Sequence, residues 1–413
     1  MDRENTIIIA AVIFIFAVVM LSPKTQETEE TRLIKIGVLT FSKDTNASDA
    51  FLATQAIDEV NQYCLNQSIP YQFKPVFKCN EQRAQKAIEL VDEFHMENVS
   101  IIVGFRWGGE LDACDYQSKR YGMVIVSPYA STSFHRDIYP HIIQLTPVDI
   151  HETQVIARAM FELGYMETVI FTENYNMHPG YMVDEFRRYY EEMGGEVNDT
   201  IVYGLSQNLA QINKTLSRLE NAVYPKTAIF YPETYPYSQY FHEIHNHPIL
   251  LNYTWFSTSS AKSNYTAELT ATPGLYEIKL IYPYLDKTPN YSNPVYQELN
   301  KLYYAEFGEN MTRYTGNVYD AVWLSALTVI KTGEYNNLTF IETFPEIARD
   351  YTGVSGNCSL DQYRDRLHAS YNIYNYVRRG EDIYLKEIGY YNTENIEIRW
   401  STRVGVGFQL PYR

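Results

Sequence analysis

The sequence has few cysteines, no excess of basic residues and only one long apolar run. Four cysteines in 413 residues are too few for a disulfide-stapled scaffold. Lys and Arg number 34 against 50 Asp and Glu, a net charge of −16, and no basic cluster stands out. Such a chain repels phosphate backbones, which excludes nucleic acid as a partner. A hydrophobic fraction of 45% excludes disorder over most of the length.

The common catalytic signatures are missing as well. The sequence contains no Gly-X-Ser-X-Gly elbow, no Walker loop and no Cys-X-X-Cys pair. The spacing of His242, His245 and His247 is similar to that of metal ligands. However, 242 and 245 lie one turn apart on a predicted helix, and 247 lies at its end. That placement is more typical of a solvated helix end than of a metal site. We therefore expect neither enzyme activity, nor a metal, nor a cofactor.

The one long apolar run spans residues 7–21. It is short for a membrane-spanning helix, which needs about 20 residues, and its length matches the apolar core of an export signal. Asp2, Arg3 and Glu4 give no positive excess before it, and no small-X-small cleavage site follows. We interpret residues 1–33 as an export signal or retained membrane anchor with a tether. The rest of the chain is then extracellular, either anchored at the N-terminus or secreted.

Two further features fit an exterior location. Tyr occurs 38 times, and its amphipathic ring favours half-wet surfaces and binding faces. Asn-X-Ser/Thr sequons greatly exceed the roughly three expected by chance. A glycosylated exterior explains them, and an Asn- and Thr-rich polar surface is the alternative. The candidate acceptors are Asn46, Asn66, Asn98, Asn198, Asn213, Asn252, Asn264, Asn290, Asn310, Asn337 and Asn357.

The cysteines are interpreted individually. Cys64 shares a helical stripe with apolar residues, which favours a packed free thiol. Cys79 follows a predicted strand and Cys114 lies one turn into a later helix, so the two could meet at one end of a sheet. A Cys79–Cys114 disulfide is therefore possible in an oxidising compartment.

Short apolar strands alternate with amphipathic helices from residue 34 onwards, and the pattern restarts near residue 151. Repeated strand–helix units of this kind predict parallel sheets covered by helices on both faces. Residues 371–377 and 382–391 alternate like antiparallel strands that end the second sheet. Because no Gly/Ser linker separates the halves, we expect the chain to cross between two α/β lobes more than once.

Ligands of open α/β sheets bind at the carboxyl ends of the strands. After the strand at 99–104 come Trp107, Gly108 and Gly109, which open a helix. After the strand at 123–127 come Ala130, Ser131 and Thr132. Glycines, hydroxyls and helix N–H groups at neighbouring strand ends indicate a small-molecule site, and ordinary capped turns are the alternative.

From about residue 34 to residue 400 the chain resembles the type I periplasmic-binding-protein superfamily, in particular its leucine/isoleucine/valine-binding branch, which includes receptor ligand-binding regions. The motifs that carry the resemblance occur in the family's order and spacing. They are Ile102-Val103-Gly104, Ser127-Pro128-x-Ala130-Ser131-Thr132, Pro147-x-Asp149, Pro273-Gly274-x-Tyr276, Tyr319-Asp320-Ala321, Gly353-Val354-Ser355-Gly356, Leu360-Asp361 and Asp365-Arg366.

The resemblance implies two Rossmann-like lobes with parallel sheets, joined by a three-stranded hinge. Crossovers are expected near 146–149, 281–284 and 351–353. Lobe 1 would then comprise residues 34–147 and 283–351, and lobe 2 residues 148–282 and 352–402, with a tail at 403–413.

The resemblance also suggests which residues bind a ligand. It places a ligand carboxylate at the loops that contain Trp107–Gly109 and Ala130–Thr132. The facing lobe and hinge would add Tyr175, Tyr235, Ser259 and Tyr284. Two departures are visible: Trp107 and Gly108 stand where a serine is usual, and Ser259 stands near the position of the carboxylate that usually binds the ligand amine.

We therefore expect a membrane-anchored solute-binding protein that closes over an amino acid or related carboxylate and serves an ABC-type transporter permease. Two alternatives remain open. The chain could be a ligand-sensing ectodomain of a receptor partner, or a glycosylated structural protein of the cell envelope that has lost its ligand. Hydrolase activity is less expected than any of these, since no nucleophile–base set is visible.

Overall fold

Two separate β-sheets organise the protein. The computed structural model describes residues 30–41, 46–132, 140–173, 177–203, 209–223, 227–232, 253–259, 279–333, 335, 337–379 and 382–401. Within these residues, no helix is long and apolar enough to cross a membrane. The predicted signal or anchor, Tyr175, Tyr235 and the histidine run at 242–247 lie outside them.

The first sheet has five parallel strands in the order β2-β1-β3-β4-β5. All residues of β3 and β4 are buried, as expected for central strands of a parallel sheet that is covered on both faces. The strands are β1 (Arg32–Thr40), β2 (Tyr71–Cys79), β3 (Ile101–Gly104), β4 (Val124–Ser127) and β5 (Ile142–Gln144).

Six helices accompany this sheet. One apolar core joins α1, α7, α8 and α9 to one face, and a second core packs α2 and α3 against the other. The helices are α1 (Asn46–Asn66), α2 (Ala84–Met96), α3 (Gly108–Arg120), α7 (Pro294–Phe307), α8 (Arg313–Thr332) and α9 (Asn337–Asp350).

The ends of α7 and α8 follow local sequence signals. The Asn293 side chain accepts hydrogen bonds from two N–H groups of the first turn of α7, and Pro294 follows at a position that needs no N–H donor. Thr312 caps α8 in the same manner through Thr315. Gly308 and Gly333 end the two helices in the left-handed conformation, which glycine adopts without steric cost.

The second sheet has eight strands in the order β15-β14-β13-β10-β9-β8-β6-β7. Its first five strands along the chain are parallel, and β13, β14 and β15 add antiparallel pairs at one edge. The strands are β6 (Glu167–Glu173), β7 (Glu196–Tyr203), β8 (Thr227–Tyr231), β9 (Thr254–Ser257), β10 (Lys279–Leu285), β13 (Ser370–Arg379), β14 (Asp382–Asn392) and β15 (Glu397–Trp400). Among the described residues, the helices that follow the chain through this part are α4 (Ile150–Glu162), α5 (Met177–Glu192) and α6 (Leu209–Ala222).

The chain passes between the two sheets three times. The first passage joins β5 to α4, the second joins β10 to α7, and the third joins α9 to β13. The protein is thus an α/β fold of two lobes whose connecting segments lie side by side. A small hairpin, β11 (Thr352–Gly353) with β12 (Gly356–Asn357), belongs to the third passage, and Val354 and Cys358 still pack in the first lobe's core.

The sequence pattern located most of the described elements and missed the shortest ones. Antiparallel strands at the end of the second sheet are confirmed. Strands β5, β11, β12 and β15 were not predicted, because segments of two to four residues carry too little periodicity to be recognised. Helix α8 begins at Arg313, before its apolar stripe, because Thr312 caps its first turn.

The possible Cys79–Cys114 disulfide is not formed, and all four cysteines are free. Cys79 ends β2, two strands away from the β3 strand that leads into α3. Cys114 is fully buried in the core beneath α3, where burial raises the pKa of its thiol to about 12. The predicted free state of Cys64 agrees with its burial in the other core.

Candidate functional site

The loops that leave β3 and β4 are joined to each other at the carboxyl edge of the first sheet. The Ser127 hydroxyl donates to the carbonyl of Phe105 at 3.1 Å and accepts from the amide of Ala130 at the same distance. A Cβ on Gly108 would lie 2.8 Å from the Cβ of Thr132, so glycine permits the two loops to approach closely. The sequence-predicted residues of both loops therefore lie together.

Helix α3 already uses part of its N-terminal donor set internally. The buried Glu110 carboxylate accepts from the amides of Arg106 and Trp107 at 3.0 and 3.3 Å, and from the side chain of Asn80 at 2.8 Å. The amides of Trp107 and Ala130 thus both donate to protein acceptors. Trp107 itself is 54% exposed.

Arg106 brings a positive charge to this edge, although the sequence did not single it out. Its guanidinium carbon lies 4.1 Å from the ring centre of Phe41, 5.5 Å from that of Trp107 and 5.8 Å from that of Tyr129. These rings come from the ends of β1, β3 and β4. Aromatic faces attract a guanidinium and leave its N–H edge able to hold a carboxylate.

Asp49, on the first turn of α1, lies next to this group. It is 5% exposed and accepts a hydrogen bond of 2.5 Å from the Tyr129 hydroxyl. Burial raises its pKa from 3.8 to about 6, while the Tyr129 hydrogen bond and the charge of Arg106 act in the opposite direction. Burial likewise raises the pKa of Tyr129, and the neighbouring Asp49 adds to that effect.

The raised pKa of Asp49 predicts a pH dependence of folding. The folded state holds this proton up to about pH 6 and the unfolded state only up to about pH 4. Stability is therefore lost as pH rises through that window, by about 2–3 kcal/mol. We expect Asp49→Asn to remove this loss, so that the wild type and variant differ more at pH 7 than at pH 4 in urea titrations. An unchanged difference across pH 4–7 would contradict the assignment.

The hinge contributes a second cation and two more tyrosines. Tyr314, on the first turn of α8, lies 4.9 Å from Tyr129, ring centre to ring centre, and its hydroxyl donates to the carbonyl of Tyr129 at 3.2 Å. The ammonium of Lys287, which follows β10, lies 4.4 Å from the ring centre of Tyr314 and 5.0 Å from that of Tyr284. The predicted hinge residue Tyr284 is thus close to the first lobe's cluster.

The start of α4 makes hydrogen bonds to predicted ligand-binding residues of both lobes. The Asp149 amide donates to the carbonyl of Ser131 at 2.7 Å, across the first passage between the sheets. One turn later, the Glu152 carboxylate accepts from the amide of Ser259 at 3.1 Å. Ser131 and Ser259 therefore lie on either side of a single helical turn, and Glu152 brings a carboxylate to the point where the sequence shows only Ser259.

Eight of the ten predicted ligand-binding residues lie in described loops, at the start of α3 or on β10, and Tyr175 and Tyr235 lie outside the described part. Sequence reasoning missed Asp49, Arg106, Glu152, Lys287 and Tyr314. Arg106 could have been found, because it directly precedes Trp107 in a loop already singled out. Asp49, Glu152 and Tyr314 lie at helix starts, and Lys287 lies in the segment after β10. Among the described residues, no cluster of three or more His, Cys, Asp or Glu could hold a metal ion.

Comparison with known proteins agrees with this architecture. The family described as "Receptor family ligand binding region" matches residues 52–379. The chain belongs to this family. A search of curated proteins found no match.

Many solved structures share the fold, which is that of the type I periplasmic binding proteins. The branched-chain amino acid transporter substrate binding protein LivJ of Streptococcus pneumoniae, solved with isoleucine, is 18% identical, with a TM-score of 0.57 over 86% of this chain and 99% of that one. An ABC transporter substrate-binding protein of Desulfitobacterium hafniense is 17% identical, with a TM-score of 0.63 over 86% and 100%. A solute binding protein of Rhodopseudomonas palustris, solved with 4-hydroxybenzoate, is 18% identical, with a TM-score of 0.60 over 87% and 97%.

Proposed function

We propose that this protein captures a small carboxylate-bearing organic solute, an amino acid or a relative of one, by closing its two lobes around it. The observation that carries the proposal is the first turn of α4, which bonds to the Ser131 loop of one lobe and to Ser259 of the other. Groups from both lobes and the hinge therefore converge on one cleft, where closure excludes water and strengthens polar contacts.

The two sides of the cleft suit opposite ends of an amino acid. Arg106 with the Ala130–Thr132 loop would hold the carboxylate, in a setting of aromatic rings. Glu152, 7% exposed and bonded to the Ser259 amide, would face the ammonium group. This arrangement replaces the serine and the carboxylate that the resemblance leads one to expect near Trp107 and Ser259.

The wider setting follows from the sequence and the family. We propose an extracellular, N-terminally anchored or secreted protein that delivers its ligand to an ABC-type transporter permease. Similar solved structures are named as substrate-binding proteins of such transporters, which supports this role. The family description also favours a second candidate, a ligand-sensing ectodomain for a receptor partner.

The proposed glycosylated exterior is consistent with where the sequons lie. Asn66, Asn98, Asn213, Asn290, Asn310 and Asn357 are exposed, and Asn198 and Asn337 are half-buried. The side chain of Asn46 and all of Asn252 and Asn264 lie outside the described residues.

Ligand capture is tested by thermal unfolding and calorimetry with isoleucine, 4-hydroxybenzoate and small acids, because a bound solute must stabilise the folded state. We expect Glu152→Gln to weaken isoleucine binding at least tenfold, since it removes the charge that faces the ammonium group, and to leave 4-hydroxybenzoate binding unchanged.

The control variant is Glu346→Gln on α9, whose carboxylate is 58% exposed and pairs only with Lys331 among the described residues. It should bind both solutes like the wild type. Equal loss of both solutes in Glu152→Gln would remove Glu152 from the site. A failure of every solute to bind would contradict the function itself.

A further inference from the structure

A small cavity lies where the three passages between the lobes come together. It is lined by Pro147 of the first passage, Asp286 and Lys287 of the second and Arg366 of the third, together with Arg313 at the start of α8. Its volume is about 20 Å³. Because a single water molecule needs at least about 10–15 Å³, this cavity fits one small ion or water molecule and no organic solute.

Backbone hydrogen bonds hold the walls of this cavity together. The Arg313 amide donates to the carbonyl of Lys287 at 2.9 Å, and the Asp286 amide donates to the carbonyl of Ser370, the first residue of β13, at 2.8 Å. The second passage is therefore fixed both to the start of α8 and to the end of the third passage. The positions of the lining residues are thus set by the fold itself.

Two of the cations in the lining lie side by side. The Nε–H of Arg313 donates to the carbonyl oxygen of Ser355 at 2.7 Å, and Nη2 of Arg366 donates to the same oxygen at 2.8 Å. Burial lowers the pKa of Arg313, and the nearby charge of Arg366 lowers it further. Two guanidinium groups on one acceptor repel each other, and a negative charge close to both relieves that repulsion.

The charges around the cavity leave one positive unit over. Lys287, Arg313 and Arg366 supply three positive charges, and Asp286 is the carboxylate among the described lining residues. Asp286 acts on Arg313, while Asp320 acts on Arg366 from outside the cavity. Three cations against two acids match the charge of one monovalent anion.

The lining also offers hydrogen-bond donors. Arg366 is 2% exposed, and although both of its Nη atoms donate to protein oxygens, its Nε–H has no acceptor among the described residues. The Ser370 hydroxyl accepts from the Asn392 side chain at 3.2 Å, which leaves its own proton as a second donor. Buried donors in proteins are nearly always satisfied, and a charged acceptor satisfies them best.

We infer that this cavity binds one small monovalent anion of halide size, such as chloride, between Arg313, Arg366 and Lys287. The anion accepts from the Nε–H of Arg366 and balances the positive charge of the lining. Since the lining residues come from all three passages, the bound anion stabilises the hinge. The cavity is too small for the solute proposed above, so this site is independent of what the cleft captures.

Thermal unfolding of the full chain in different salts tests the site. Between about 1 and 300 mM chloride, with the ionic strength kept constant by gluconate, the melting temperature should rise by about 2–4 °C and then level off. Bromide should act like chloride because it has the same charge and a similar size, whereas gluconate is too large for the cavity. Screening of the net charge of −16 is the same in both salts and cancels.

Crystals soaked in bromide locate the ion directly. Anomalous scattering should place a bromide within hydrogen-bonding distance of Arg366 Nε and of the Arg313 guanidinium. This measurement needs no variant, so it decides the question even where a substitution prevents folding. A water molecule at this point and no bromide would overturn the inference.

Arg313→Gln should abolish the rise in melting temperature with chloride, and Lys287→Gln should reduce it. The control is Lys301→Gln on α7, where the ammonium pairs with Glu298 at the surface, and this variant should keep the full rise. Each variant is compared with itself at low and high chloride, so a general loss of stability does not affect the result. A wild type that does not respond to chloride, or a full rise in the Arg313→Gln/Lys287→Gln double variant, would rule out the site.

Discussion

Replacing Arg366 with methionine is expected to destabilise the protein by about 3–5 kcal/mol. This guanidinium is 2% exposed and occupies the third passage between the lobes. It donates to the carbonyls of Leu145, Ser355 and Asn357, to the hydroxyl of Ser355 and to the amide oxygen of Asn317, at 2.6–3.0 Å. Methionine fills a similar volume but leaves these acceptors without a donor.

The loss also isolates Asp320, a fully buried carboxylate on α8. Asp320 accepts from the amides of Val354 and Ser355 and from the Ser355 hydroxyl, and Arg366 is its nearby positive charge. Burial raises the pKa of Asp320, while these hydrogen bonds and Arg366 lower it. Without Arg366 the pKa of Asp320 rises further, so the destabilisation should shrink as the pH falls, because protonation removes the buried charge.

Urea unfolding followed by circular dichroism measures this effect. The matched control is Arg188→Met on α5, where the guanidinium is 46% exposed and pairs with Glu185 and Glu192. Surface pairs of this kind contribute about 0–1 kcal/mol, so the control should stay near the wild type. A loss below about 1 kcal/mol for Arg366→Met would show that the network is not what holds the third passage in place.

The second large effect is expected for Gly104→Ala. Gly104 ends β3 opposite Leu39 of β1, and a Cβ added there would lie 2.6 Å from both the Cβ and the backbone oxygen of Leu39. A backbone atom in a central strand cannot move aside, so the two strands must separate. We expect the variant to be destabilised by about 2–4 kcal/mol, which is at the upper end of the cost usual for an overpacked core. Solute binding should also weaken, because Phe105 and Arg106 directly follow Gly104.

Gly109→Ala provides the control at the same loop. A Cβ built on Gly109 meets nothing within 4 Å, and Gly109 lies in the first turn of α3, where alanine is a better helix former. Its stability should equal or slightly exceed that of the wild type. Thermal unfolding of both variants separates the outcomes: equal stability of the two would mean that β1 and β3 are not held as tightly as this register requires.

The expected positions of the main helices and strands were correct because their signal is local. The apolar run at 101–104 and the apolar face of α2 follow the side-chain periods of strands and helices, about 2 and 3.6 residues. Such periods are visible in a short stretch of sequence. Caps such as Asn293 and Thr312 are likewise local. The Cys79–Cys114 bridge was wrong because pairing depends on how far apart two elements lie in the finished sheet, which spacing along the chain does not give.

The candidate site was predicted in part. The loops after β3 and β4 were assigned to the site because ligands gather at the carboxyl ends of parallel strands, and this assignment stays a prediction. Arg106 was not predicted, although Trp107 beside it was. The sequence also gave no sign that the Trp107 amide donates to Glu110. Glu152 and Lys287 could not be identified from sequence. Glu152 meets Ser259 across a separation of 107 residues, and Lys287 meets Tyr314 from the segment after β10.

By itself, the sequence determined the alternation of strands and helices, the doubled α/β pattern, the return of the chain between lobes and the family. These depend on which residues avoid water and at what period. Which charges meet depends on the folded structure. Arg106 and Lys287 lie over the neighbouring rings of Tyr129 and Tyr314, and Glu152 accepts from the amide of Ser259, although these residues are far apart along the chain. Electrostatic contacts depend on distance in space, and no pattern along the chain encodes that distance.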